Sequence, residues 1–95
     1  MIYATTSVAA FYGPKIEKIS VDDKNLVITA SDVHEGATVW VGSDAQVTKI
    51  SFESSLVTLT AKKAYMRIRP GQTVDIRIID SDGYVSNWVS FTRSE

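Results

Sequence analysis

The chain has 95 residues, 44% of them hydrophobic, with 10 Lys and Arg against 11 Asp and Glu, a net charge of −1 and no cysteine. That length makes one domain, the missing cysteine excludes disulfides, a thiol nucleophile and thiolate metal sites, and the scattered charge argues against a nucleic-acid groove, which needs a concentrated basic face. No apolar run approaches a membrane span, and MIYATTSVAAFYG, without Lys or Arg and broken by Thr5, Thr6 and Ser7, does not read as a signal peptide.

Residues 2–12 are rich in Tyr, Thr, Val and Phe and suit an added strand or an ordered arm, which Gly13-Pro14 ends. Lys15 to Val21 reads as a strand in which Ile16 and Ile19 differ in parity, so a bulge or kink between them would let both point inward. Asp22-Asp23-Lys24-Asn25 is a turn, and Leu26, Ile28 and Ala30 form the inward side of the next strand. Ser31 to Gly36 is a loop. Val39 and Val41 alternate around Trp40, and Gly42-Ser43-Asp44 turns the chain. Ile50 and Phe52 mark one strand, and Val57, Leu59 and Ala61 another. Tyr65 to Arg69 is a crossover with Met66 and Ile68 tucked beneath it.

Residues 70–93 read as a β-hairpin. Val74, Ile76 and Ile78 alternate with Asp75 and Arg77, and Val85, Asn87, Val89 and Phe91 alternate with Ser86, Trp88, Ser90 and Thr92. Asp80-Ser81-Asp82-Gly83 supplies turn chemistry between them. If Ile79 faces Tyr84, Ile78 pairs with Val85, Ile76 with Asn87 and Val74 with Val89. This register buries the aliphatic row and leaves Asp75, Arg77, Ile79, Ser86 and Trp88 outside. No segment has sustained helical periodicity, and about seven to eight short strands with regular turns predict an all-β Greek-key sandwich or barrel.

Three stretches resemble the start of an IPT/TIG-type immunoglobulin-like domain: Pro14 to Ile19, Leu26 to Thr29, and Glu35 to Val41. Pro70 to Val74, Asp80 to Asn87, and Phe91-Thr92-Arg93 are similar to the end of the same family, mainly in order and spacing. The likeness implies an early-set immunoglobulin-like β-sandwich of seven to eight antiparallel strands over residues 14–95, with residues 1–13 outside it as an arm or extra strand. It also implies a module of a larger protein. Such modules occur in bacterial surface and secreted proteins, in receptors, as accessory domains of carbohydrate-active enzymes and in some transcription factors. An extracellular or cell-surface setting follows from this resemblance, as does a role in spacing, adhesion or protein–protein contact. The family brings no catalytic residues and no cofactor. An engineered scaffold of the same fold fits the same residues.

Single groups offer little chemistry. His34, the only histidine, sits in a polar loop and reads as solvated surface. No serine lies in a Gly-x-Ser-x-Gly elbow, so no enzyme is expected. Asp80-Ser81-Asp82-Gly83 resembles the opening of a calcium loop, but Gly comes fourth and strands flank it, so a hairpin turn explains it without a metal. Asn87 falls on the inward side and is expected to bond backbone groups. Pro70-Gly71 near Lys62 and Lys63 lacks the cradle of a phosphate loop.

The tryptophans are the candidates for binding. If the third, sixth and seventh strands of an immunoglobulin-like sandwich share a sheet, Trp40, Arg77, Ile79 and Trp88, with Tyr84, form one exposed face. Arg77 can stack on Trp88. A contiguous apolar patch marks an interface, and Trp and Arg dominate interface energetics. Two readings stay open. Ile2, Val8, Phe11 and Tyr12 could fold back over the face, or it could meet a second copy, a neighbouring domain, another protein or a flat sugar.

Overall fold

The structure, a computed structural model, describes residues 13–52 and 54–94. Among these residues eight strands run in chain order: β1 Lys15–Asp22, β2 Asn25–Ser31, β3 Thr38–Val41, β4 Asp44–Ala45, β5 Thr48–Ser51, β6 Val57–Ala61, β7 Thr73–Ile79 and β8 Val89–Thr92. A single 3-10 turn, Tyr65–Arg67, lies between β6 and β7. The strands form two antiparallel four-stranded sheets, ordered β1-β2-β6-β5 and β4-β3-β7-β8. The non-sequential neighbours β2–β6 and β3–β7 are the crossovers of a Greek-key sandwich. β7 lies between β3 and β8, so the third strand and the two of the closing hairpin share one sheet.

Alternation drives the assembly. Leu26, Ile28 and Ala30 of β2 and Val57, Leu59 and Ala61 of β6 point inward, against Val39 of β3 and Ile76 and Ile78 of β7. Their polar neighbours point outward, which is the pattern of sheets solvated on one face. In β1 the register with β2 shifts between Ile16 and Lys18. That bulge resolves the parity conflict: Ile16 is buried and Ile19 packs partly against the core.

Three expected placements change. The β5 ladder ends at Ser51, opposite Thr58, so Phe52 leaves the sheet and stands exposed. In the crossover Ile68 is buried but Met66 is exposed. A 3-10 turn places residues three apart on one side, so Tyr65 and Ile68 turn inward together and Met66 turns out. The hairpin register also differs. Ile79 bridges Val85, and Ile76, Val74 and Thr73 pair with Val89, Phe91 and Thr92. Val85 is therefore outside and Ser86 buried, the reverse of the expectation.

Two side chains fasten the ends of this hairpin to the rest. Asn87 accepts from the Ile16 backbone N–H through Oδ1 at 2.8 Å, joining β1 to the last segment across the sandwich. Arg93 donates from Nη1 to the Ile68 carbonyl at 2.7 Å and lies 4.5 Å from the Tyr65 ring centroid. The end of β8 thereby holds the 3-10 turn in place.

Candidate functional site

The outer face of the β4-β3-β7-β8 sheet is built from the alternation that makes the core. Because Val39, Ile76 and Ile78 face inward, Trp40, Arg77 and Ile79 face out. The register sets Trp40 opposite Arg77 and Thr38 opposite Ile79. On the other side of β7 the pairing is irregular. Three steps from Ile79 to Ile76 match four from Val85 to Val89, which leaves Asn87 and Trp88 both opposite Arg77. This is a β-bulge in the strand entering β8. It swings Trp88 over the guanidinium, whose central carbon lies 4.3 Å from the ring centroid.

Trp88 is 53% exposed, while Trp40, Arg77 and Ile79 are half-buried. Arg77 Nε is shut away from water without a hydrogen-bond acceptor, and both ion pairs among the described residues belong to His34. Among the described residues the guanidinium thus rests on the indole face and in no ion pair. Such a contact contributes about 0.5–2 kcal/mol, more when desolvated. It holds a large aromatic ring in a fixed orientation on an open sheet.

Tyr84, expected on this face, is placed elsewhere. Its carbonyl accepts from the Asp80 backbone N–H at 2.8 Å, and its Cβ would lie 3.2 Å from a Cβ on Gly13. It stands exposed at the base of the hairpin loop beside the start of the described chain. Val85 takes the position opposite Ile79 instead. Four of the five expected residues therefore share the sheet face, and sequence reasoning missed Val85 because it assigned a branched aliphatic to the core. Coverage of the face by Ile2, Val8, Phe11 and Tyr12 lies outside the described residues.

Trp88 also walls a cleft of about 420 Å³ between the β3–β4 turn and the start of β7. Asp44, Arg67, Gln72 and Asp75 bring polar groups to it, and buried Gln46 lines it with an Oε1 that lacks a partner. No local sequence pattern signals this cleft, since its residues come from four separate segments.

At the opposite end of β7, two loops meet. Asp80 is buried; its Oδ2 accepts from the His34 backbone N–H at 3.3 Å and lies 3.0 Å from His34 Nδ1. Ser81 Oγ donates to the Glu35 carbonyl at 2.7 Å. His34 and the Asp80-to-Gly83 turn, read separately in the sequence, thus form one unit.

Neither a family model, nor a curated protein, nor a solved structure matches this chain.

Proposed function

We propose that this chain is a non-catalytic immunoglobulin-like module of the IPT/TIG type, part of a larger extracellular or surface protein, that makes a protein–protein contact through its β3–β7–β8 face. The observation that carries this reading is Trp88, more than half exposed yet fixed over Arg77 beside Trp40 and Val85. An exposed Trp stacked on a half-buried Arg is the composition of an interface hot spot. Trp88 stands next to the first residue of β8 and rests on Arg77 of β7, so its position is set before a partner arrives and less ordering entropy opposes binding.

Light scattering across a concentration series, on the full chain and on Trp88→Ala, tests the proposal. Self-association weakened about tenfold or more by the substitution supports it, since a hot-spot truncation costs about 2 kcal/mol or more. A chain that stays monomeric with Trp88 shielded from acrylamide overturns it, because the face is then covered from within.

The cleft favours a second reading, an oligosaccharide-binding accessory module. One aromatic wall with Asp75, Gln72 and Arg67 around about 420 Å³ matches the needs of a sugar, which stacks an apolar ring face and offers hydroxyls at its rim. Titration of the intrinsic fluorescence with oligosaccharides would shift the Trp88 emission; a flat response removes this reading.

A further inference from the structure

We propose that His34, Asp80 and Asp82 form a binding site for a divalent first-row transition metal, with Zn²⁺ as the probe. The three side chains converge from two loops: His34 from the β2–β3 connection, the aspartates from the β7–β8 turn. One donor atom from each lies within 4.8 Å of the others. His34 Nδ1 is 3.0 Å from Asp80 Oδ2 and 3.9 Å from Asp82 Oδ2. Donors bound to one zinc at about 2.0–2.2 Å stand roughly 3–3.5 Å apart. The first pair already has that spacing, and the second closes by a small movement of a surface side chain.

Charge supplies the independent reason. The Asp80 side chain is 1% exposed, yet its only ion-pair partner among the described residues is His34. An imidazole offers a positive charge only when protonated. A buried carboxylate with no Lys or Arg beside it is compensated by hydrogen bonds, and a cation at its free lone pairs adds to that compensation. Asp80 is also held ready. The His34 N–H binds its Oδ2, the Ser81 N–H binds its Oδ1 at 2.9 Å, and the Ser81–Glu35 bond joins the loops.

The His34 and Asp82 side chains are 64% and 52% exposed, which leaves one side of the site open to solvent and to bound water. One imidazole with two carboxylates suits zinc and its first-row neighbours, whereas calcium prefers oxygen donors throughout. Binding replaces the Nδ1–H···Oδ2 contact with Nδ1–metal and Oδ2–metal bonds; the displaced proton moves to Nε2 or to solvent. The chain has one histidine and no cysteine, so no other imidazole or thiolate site competes.

The test is calorimetric titration of Zn²⁺ into the chelator-stripped full chain and into His34→Ala and Asp82→Asn. Both substitutions are on exposed side chains, and circular dichroism checks that the fold is kept. The expected result is one zinc per chain, a melting temperature that rises with zinc, and a loss of affinity of at least about tenfold in each variant. Absence of zinc binding, or equal binding by all three proteins, overturns the site. Calcium binding that survives His34→Ala but not Asp82→Asn overturns the assignment of a transition metal.

Discussion

Asn87 stands where the alternation of the last hairpin breaks, and its two neighbours show what the break is for. Ser86 turns inward and its Oγ accepts from the Ile78 N–H at 2.7 Å, while Asn87 caps the Ile16 N–H on the other sheet. Both bonds satisfy backbone donors that the shifted register would otherwise leave unpaired. Asn87→Ala removes the acceptor for Ile16 and should lower stability by about 1–3 kcal/mol, the cost of an orphaned, partly buried donor. A urea titration measures it as a lower midpoint at unchanged slope. The sequence indicated that Asn87 would bond backbone. It could not indicate that Ser86 outranks Val85 for the interior, because hydrophobicity favours valine and only the hydrogen-bond requirement of Ile78 favours serine. Trp88 was legible for a different reason: Val89 and Ile76 pair inward, so the ring must point out whatever happens nearer the turn.

At the scale of elements, the strands with strict alternation were readable, and β2, β3, β6 and β7 follow it closely. The β1 bulge was readable too, since two isoleucines of opposite parity both needed burial. Deviations arose where the backbone left the sheet. Met66 and Phe52 have the chemistry of core residues, but a 3-10 turn and a strand end set their direction. The loops between elements were legible as turns and not as neighbours, because nothing local says that residues 34 and 80 meet. Their packing is tight. A Cβ added at Gly36 would lie 3.0 Å from Ser81 Cβ with φ at +87°, whereas at Gly83, with φ at +92°, it would meet nothing within 4 Å. Gly83→Ala should therefore cost only the backbone term, about 1–2 kcal/mol. Gly36→Ala should cost more, because it also pushes the two loops apart. Chemical denaturation of the two variants side by side checks the order; equal losses would show that the loops are not pressed together.

For the molecule as a whole, two sheets share one core without disulfides, and Leu59 lies fully buried within it. Leu59→Ala should cost about 2–5 kcal/mol, a large part of the roughly 5–15 kcal/mol available to a domain. Thermal unfolding should show a single transition displaced to lower temperature; a loss under about 1 kcal/mol would mean that the sheets close around the gap. Of the candidate surfaces, the tryptophan face was legible because one sheet's alternation determines it. The cleft and the His34 cluster were not, because each gathers residues from distant segments that only the Greek-key wiring brings together. The sheet borders carry a further consequence. β4 has 2 residues, β5 and β8 have 4 each, and the long border strand β1 is interrupted between Ile16 and Lys18. The Asn87–Trp88 irregularity breaks the run that leads into β8. Among the described residues no border offers a long, uninterrupted row of free amides and carbonyls on which a foreign strand could zip. Edge-to-edge pairing of copies through these borders is thereby disfavoured, which leaves side chains on a face as the favoured route of association.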